Sequence, residues 1–326
     1  MHPPPSALSS TPAWLPVAAA AALVLTLAAF PLLAPQWDLG YYVGFLGRLM
    51  IVSLAALSLN FLIGRVGLVA LGHAGFVGVG AYVVAMAADA GWTLALPIWG
   101  LAMLAGVLMA TVIGAVALRT RGVYFIMITL AFAQMLYYLA VSLRQYGGDD
   151  GYTLYAPLLL MANDAGGLAA SGAALYWVAL AALVLVFVLL ARLEVSHFGR
   201  ALEGIRDNET RMQALGYPSY LLKLCAFAVA GGVASLSGAL MATQNAFVSP
   251  SLMHWSQSAL LIVMVVIGGV GRRFGAPLGV AIWLISEEIL RQYTDYRHAP
   301  LGLLLIAVVF LAPKGVAALL SRKAKA

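Results

Sequence analysis

Long apolar runs separated by short polar segments cover most of the chain. Such runs are typical of helices that cross a bilayer, which need roughly 20 apolar residues each. The candidate spans are Trp14–Leu33, Tyr41–Ile63, Val66–Ala88, Thr93–Leu118, Gly122–Leu143, Ala173–Leu190, Tyr220–Thr243, Ser258–Val270, Gly275–Leu290 and Pro300–Ala312. The pattern predicts an all-α polytopic membrane protein with about ten transmembrane helices.

Composition supports the same class and suggests how the chain is divided. Hydrophobic residues make up 63% of the 326 residues, against roughly 45–50% in soluble domains. Residues 1–13 are rich in Pro and Ser and lack charged residues, so we predict a disordered N-terminal tail there. We expect a membrane domain over residues 14–313 and a basic cytoplasmic tail over residues 314–326. The single cysteine, Cys225, excludes an intrachain disulfide.

The distribution of charge predicts the orientation. With the N-terminus in the cytoplasm, 14 of the 18 basic residues fall on the inner side, which satisfies the positive-inside rule. These are Arg65, Arg119, Arg121, Arg192, Arg200, Arg206, Arg211, Lys223, Arg272, Arg273, Lys314, Arg322, Lys323 and Lys325. All six Asp residues of the remaining loops, Asp38, Asp89, Asp149, Asp150, Asp164 and Asp295, fall outside. Both termini are therefore predicted to be cytoplasmic.

The densest charged segment is Ser196–Pro218, between two apolar runs. We predict one amphipathic helix over Gly199–Leu215, ended by a left-handed Gly216 and by Pro218. Its predicted apolar face consists of Ala201, Ile205, Met212 and Leu215. Two interpretations remain open: a loop helix lying in solvent or on the membrane surface, and a helix that docks on a soluble partner.

Glycine and polar residues distinguish the third and fifth runs. The third run has glycines that permit either close helix packing or a broken helix beside a translocation path. The fifth run has polar residues that line a path or form single interhelical hydrogen bonds. The candidate path residues are Gly72, Gly75, Gly80, Tyr124, Thr129 and Gln134.

Few charges lie inside the predicted spans. Arg48 lies in the second run, where it either extends toward the interface, packs against a polar group or lines the path. Glu287 and Glu288 lie near the outer end of the ninth run, close to Arg291. They are either an interfacial salt-bridged pair or the carboxylates of a proton-coupled carrier.

The sequence offers no catalytic, metal-binding or cofactor-binding set. No Gly-Lys pair exists, so the phosphate-binding loop G-x-x-x-x-G-K-[ST] is absent. The five histidines are dispersed, and no Ser/His/Asp set is indicated. We therefore predict that the chain is not an enzyme and has no nucleic acid partner. If it does work that needs energy, that energy would come from a partner protein or from an ion gradient.

Several motifs in order resemble the permeases of bacterial branched-chain amino-acid importers of the ATP-binding-cassette (ABC) type, specifically the LivM-like family. The resemblance covers roughly residues 40–320. Its motifs are Gly72-His73-Ala74-Gly75-Phe76, Arg121-Gly122-Val123-Tyr124-Phe125, Gly147-Gly148-Asp149-Asp150-Gly151, Phe198-Gly199-Arg200-Ala201-Leu202-Glu203, Val248-Ser249-Pro250, Gly268-Gly269-Val270-Gly271 and Ala312-Pro313-Lys314-Gly315. Gly204 departs from the alanine expected in the family.

The resemblance implies an importer permease of the inner membrane that works with other subunits. These are a homologous second permease, two cytoplasmic ATPases and a periplasmic solute-binding protein, within membrane lipid. It also implies that Gly199–Gly216 is the loop that docks on an ATPase. The implied contact residues are Arg200, Ala201, Glu203, Ile205, Arg206, Asp207, Met212, Leu215 and Gly216. A stand-alone secondary transporter or channel, and a urea or short-amide permease of the same family, remain alternatives.

Overall fold

The computed structural model describes residues 25–33, 40–155, 158–159, 172–293, 298–311 and 315–318, and most of them are helical. The first six helices are α1 (residues 25–33), α2 (Gly40–Phe61), α3 (His73–Asp89), α4 (Ala95–Ala117), α5 (Val123–Ser142) and α6 (Gly172–Val195). They are followed by α7 (His197–Asp207), α8 (Glu209–Ala214), α9 (Ser219–Asn245), α10 (Trp255–Gly268), α11 (Gly275–Tyr293) and α12 (His298–Leu311). The predicted tail 1–13 and most of the predicted tail 314–326 lie outside the described residues.

Five helical segments in the described ranges are long and apolar enough to cross a membrane. They are Gly40–Val66, Ala95–Ala117, Val123–Ser142, Ala174–Val195 and Ser219–Asn245. The apolar helices His73–Asp89, Trp255–Gly268 and Ala299–Val308 are shorter. Each predicted span overlaps at least one described helix, which supports a multi-pass membrane protein. The number of crossings stays a prediction.

Helix α9 lies at the centre of the bundle and packs against α2, α3 and α4. Small residues on α9 let the neighbouring backbones approach closely, as is usual for helix pairs in membranes. Serine side chains add hydrogen bonds between helices. Ser237 Oγ donates to the carbonyl oxygen of Ile51 at 2.6 Å, and Ser235 Oγ donates to that of Ala102 at 2.6 Å. The serine side chains of α9 therefore hold the neighbouring helices by hydrogen bonds as well as by packing.

The bundle has two chemically different ends. At one end, which we call the basic end, salt bridges join Arg65, Arg121, Arg206, Lys223 and Arg273 to nearby acids. Helix α2 runs toward this end and α11 runs away from it, so the first residues of α2 and the last residues of α11 share the opposite, far end.

A small antiparallel β ladder also covers part of the far end. Strand β1 (Tyr152–Thr153) pairs with β2 (Phe247–Val248), with Tyr152 opposite Val248. The ladder joins the loop after α5 to the residues after α9, and was not expected from the hydropathy pattern.

Candidate translocation and coupling sites

The chain between α2 and α3 is interrupted, because residues 67–72 at the start of the predicted span Val66–Ala88 are not helical. After α2 the chain forms a π-helical turn, Leu62–Val66, and Gly67 then adopts a left-handed conformation with φ +76°. Only glycine takes this conformation without strain, and it ends the helix. The chain is non-helical until α3 begins at His73.

Buried polar side chains surround the start of α3. His73 is fully buried, and its Nε2 lies 2.7 Å from Ser58 Oγ. The Ser58 hydroxyl donates to the carbonyl oxygen of Ala55 at 2.8 Å, so Nε2 is the donor toward Ser58. The backbone N–H of Ala74 donates to Ser258 Oγ at 2.9 Å. These bonds fix the beginning of α3 to both α2 and α10.

Three of the predicted path residues meet where α3 approaches α5. A Cβ atom added at Gly72 would collide with the carbonyl oxygen of Thr129, and one at Gly75 would lie 3.1 Å from Leu136 Cδ1. Thr129 is itself buried and donates to the carbonyl oxygen of Ile126 at 2.9 Å. The glycines therefore permit close contact between α3 and α5.

The other three candidate path residues lie elsewhere, and their role in a path stays a prediction. A Cβ at Gly80 would collide with the carbonyl oxygen of Ser235 on α9. Tyr124 is 73% exposed on the outside of α5. Gln134 lines a groove between α4 and α5. Tyr124, Thr129 and Gln134 are five residues apart, and each such step turns a helix by about 140°, so they face different directions.

At the basic end, an ionic cluster joins four separate segments. Glu194, at the end of α6, is 9% exposed and its Oε2 lies 3.0 Å from both Arg65 Nη2 and Arg273 Nε. Arg65 Nη1 also reaches Glu203 Oε1 of α7 at 3.3 Å. Arg206 of α7 donates to the carbonyl oxygen of Gly64. The cluster therefore connects the π-helical turn with α6, α7 and the loop between α10 and α11.

An uncharged contact completes this junction. The Asn60 side chain is 4% exposed; it accepts a hydrogen bond from Gly271 N at 2.8 Å and donates to the carbonyl oxygen of Arg272 at 3.0 Å. A Cβ at Gly64 would collide with Gly271, so the two backbones touch. Sequence analysis missed Asn60, Glu194 and their partners; a polar Asn within an apolar run was the available signal.

The predicted single helix over Gly199–Leu215 is wrong, because the chain bends at Asn208. Asn208 has φ −157° and ψ 95°, and its side chain accepts a hydrogen bond from Arg211 N at 2.9 Å. It thus ends α7 and caps α8. Gly216 has φ +87°, as predicted for the left-handed end of the segment.

The predicted apolar face is divided between the two helices. Ala201 and Ile205 are buried, Ile205 to 2% exposure, so both pack within this chain and are not available to a partner. Leu215 is 67% exposed. Met212 of α8 packs back on α7: a Cβ at Gly204 would lie 2.9 Å from its Sδ atom. The glycine that departs from the family pattern therefore leaves room for α8 to fold against α7.

The charged coupling candidates divide in the same way. Glu203 and Arg206 belong to the ionic cluster, with 4.0 Å between Glu203 Oε1 and Arg206 Nη2. Asp207 pairs with Arg206 at 3.3 Å, whereas Arg200 is exposed and near His197. The segment thus presents α8 and the turn after it outward, with α7 as its support.

Glu209 holds α8 against the bundle. Its Oε1 lies 2.7 Å from Lys223 Nζ of α9 and its Oε2 lies 3.4 Å from Arg121 Nη2. Burial raises the pKa of Glu209, but the hydrogen bond and charge of Lys223, with the charge of Arg121, outweigh burial and lower the pKa from its ordinary 4.5. Within the described ranges, no three His, Cys, Asp or Glu side chains lie together as metal ligands would.

Comparison with known proteins identifies the family. Residues 41–312 match the family model described as branched-chain amino acid transport system / permease component. The chain is 31% identical over 291 residues to the high-affinity branched-chain amino acid transport system permease protein LivM of Escherichia coli strain K12, covering 82% of this chain and 68% of that protein. It is 29% identical over 133 residues to the probable branched-chain amino acid transport permease protein LivM of Methanocaldococcus jannaschii, covering 39% and 37%. No solved structure matches the chain. The chain belongs to the family of permease components of branched-chain amino acid transport systems.

Proposed function

We propose that the chain is the permease subunit of an ABC importer that moves branched-chain amino acids across the bacterial inner membrane. The observation that carries this proposal is the family match over residues 41–312. Residues 14–313 form the membrane domain, and both termini are cytoplasmic. The basic end then faces the cytoplasm, in agreement with the preference of Lys and Arg for that side.

The proposed partners follow from the resemblance to ABC importer permeases. Two cytoplasmic ATPases supply the energy. A homologous second permease completes the membrane part, and a periplasmic solute-binding protein delivers the amino acid. The permease itself alternates between outward and inward access as the ATPases bind and hydrolyse ATP.

The ATPase contact lies on α8 and the turn that follows it. Leu215 and Tyr217 are exposed there, at 67% and 46%, and apolar side chains on such a surface are typical of a protein interface. Met212 and Gly216 shape this surface, since Met212 packs on α7 and Gly216 makes the turn. Ala201 and Ile205 act indirectly, by holding α7 on the bundle.

Movement of α8 reaches the membrane domain through α7. Arg206 bonds to the carbonyl oxygen of Gly64, and Glu203 pairs with Arg65, so both touch the π-helical turn that precedes the broken segment. A shift of α7 would therefore act on residues 67–72 and on the contact between Gly72 and Thr129. Packed elements of this kind change between discrete arrangements rather than deform continuously.

Reconstitution tests the proposed function. The chain, its second permease, the ATPases and the binding protein are placed in liposomes, and radiolabelled leucine uptake is measured. We expect uptake that requires ATP and both ATPases and that is unaffected by a protonophore. Uptake by the permeases alone that a protonophore abolishes would instead establish a secondary transporter.

The ATPase contact is tested with Leu215→Asp. A charge on this exposed residue leaves the fold intact, because the side chain has few neighbours, but it cannot be buried at an interface without cost. We expect at least a tenfold loss of ATPases from the purified complex. Val195→Asp is the matched control, since Val195 is an apolar residue of the same end with 63% exposure. Equal retention of ATPases by both variants would contradict a contact at α8.

A further inference from the structure

A charged cavity lies between α2 and α11 at the far end of the bundle. It has a volume of about 340 Å³ and is lined by Phe45, Arg48, Leu284, Glu287, Glu288 and Arg291. This volume is within the range of small-molecule sites, roughly 300–1,000 Å³. Two arginines and two glutamates therefore line one small space.

Arg48 is the residue of this cavity that most needs an explanation. It lies within a membrane-length helix, about 12 Å from the first residue of α2 at 1.5 Å per residue, and it is exposed. None of the salt bridges among the described residues includes Arg48. An exposed guanidinium at this depth is unfavourable in lipid and marks a water-filled path or a binding site. Its planar donors match a carboxylate.

Glu288 is positioned to present a negative charge to the same space. The Tyr41 hydroxyl donates to Glu288 Oε1 at 2.7 Å, and Arg291 Nη1 lies 3.9 Å from Glu288 Oε2. A neutral donor and a distant arginine orient the carboxylate without closely pairing its charge. Its second oxygen therefore keeps the capacity to accept a hydrogen bond from an ammonium group.

We propose that this cavity is a binding site for a zwitterionic amino acid. Arg48 binds its carboxylate, and Glu288 binds its ammonium group. The site rests on the proposed function for its ligand class, and adds to it a place on the path where the amino acid is held. Arg48 and Glu288 together favour a zwitterion over an organic anion or an amine, since each of these could pair with only one of the two side chains.

Binding to the purified complex, without the solute-binding protein, tests the site. Radiolabelled leucine is bound to the complex in lipid nanodiscs, with 4-methylpentanoate and 3-methylbutylamine as competitors that lack the ammonium and the carboxylate, respectively. For Arg48→Gln we expect at least tenfold weaker binding of leucine and 4-methylpentanoate, with 3-methylbutylamine unchanged. For Glu288→Gln we expect weaker binding of leucine and 3-methylbutylamine, with binding of 4-methylpentanoate unchanged. Arg144→Gln is the matched control, because Arg144 is an exposed arginine that does not line the cavity; its effect should be below threefold.

The outcomes separate this site from the proposed function. If the wild-type complex imports leucine with ATP but binds no leucine in nanodiscs, or if Arg48→Gln binds leucine normally, the site is wrong and the importer function stands. A uniform loss of all three ligands in both variants would show a structural role and also overturn the site. If the wild-type complex imports no leucine, the proposed function fails, while the reciprocal pattern of the two variants would still support a zwitterion site.

Discussion

The two charged clusters of the molecule pair their charges differently. At the basic end, Glu194 is almost buried and lies 3.0 Å from guanidinium nitrogens of both Arg65 and Arg273. At the far end, Arg48 takes part in none of the salt bridges among the described residues, and Glu288 has a tyrosine and a distant arginine beside it. Both clusters contain arginine and glutamate, yet the first is closed and the second lines a cavity.

The difference follows from what surrounds the charges. A charge withdrawn from water must be paired and hydrogen-bonded, because its desolvation otherwise costs several kcal/mol. The four segments at the basic end supply those partners to one another. At the far end, Glu288 lies 3.9 Å from Arg291, and Arg48 lines a cavity without taking part in any salt bridge among the described residues. We interpret the closely paired cluster as a structural junction, and the position of Arg48 beside a cavity as a place for a ligand.

The largest expected effect comes from removing the same residue type at each end. Glu194→Ala leaves Arg65 and Arg273 beside each other without their common carboxylate. We expect the free energy of unfolding to fall by about 2–3 kcal/mol. This is less than the full cost of breaking a buried ion pair, because Arg273 is half exposed. Glu288→Ala should cost under about 1 kcal/mol. Thermal unfolding of each variant in the same detergent measures the change in stability. Equal destabilisation by Glu194→Ala and Glu288→Ala would contradict the structural difference between the two clusters.

An intermediate effect is expected from the uncharged part of the basic end. Asn60→Leu preserves the size of the side chain but removes its hydrogen bonds to the Gly271 N–H and the Arg272 carbonyl oxygen. We therefore expect the free energy of unfolding to fall by about 2 kcal/mol. Ser53→Ala is the matched control on the same helix, since the buried Ser53 hydroxyl donates to its own helix at the Leu49 carbonyl oxygen. Limited proteolysis of the loop between α10 and α11 should accelerate in Asn60→Leu alone. Unchanged cleavage would show that Asn60 does not fix this loop.

The smallest expected effect concerns Glu209 and depends on pH. Because Lys223 and Arg121 hold the pKa of Glu209 below 4.5, the pairing stabilises the fold above that pH and is lost as pH falls through the lowered pKa. Glu209→Gln should cost about 1 kcal/mol at pH 7. The difference from wild type should then shrink on acidification below about 4.5. Melting curves across pH 3–8, a range chosen to bracket the ordinary carboxyl pKa, measure it, and a difference independent of pH would contradict the ion pair.

Local sequence signals predicted the helices well but missed a bend within the charged loop. Apolar runs placed the helices, and Gly216 marked the end of the segment correctly. The bend at Asn208 was also encoded, since Asn is a preferred N-cap and Glu209 in the first turn of α8 favours a new helix start. The apparent apolar spacing across residues 201–215 concealed this signal. One continuous helix would have placed Ile205 and Leu215 on a common face; the bend buries the first and exposes the second.

Helical periodicity would also have separated some of the predicted path residues. Tyr124, Thr129 and Gln134 are polar and evenly spaced, but a spacing of five does not return to the same face of an α-helix. Periodicity alone could not have shown that Gly72 approaches Thr129 or that Gly80 approaches Ser235, because each contact joins different helices.

The sequence by itself determined the membrane class, the positions of the helices, the family and the concentration of basic residues in particular loops. Tertiary structure decided which charges meet: Glu194 lies 129 residues from Arg65 and 79 from Arg273. Periodicity shows which face of a helix is polar but does not show which helix will cover it. In a membrane, lipid is as apolar as the helix surfaces, so small-residue packing and hydrogen bonds select the neighbours. These contacts are properties of the assembled bundle, and they close the cluster around Glu194 while leaving the space between Arg48 and Glu288 open.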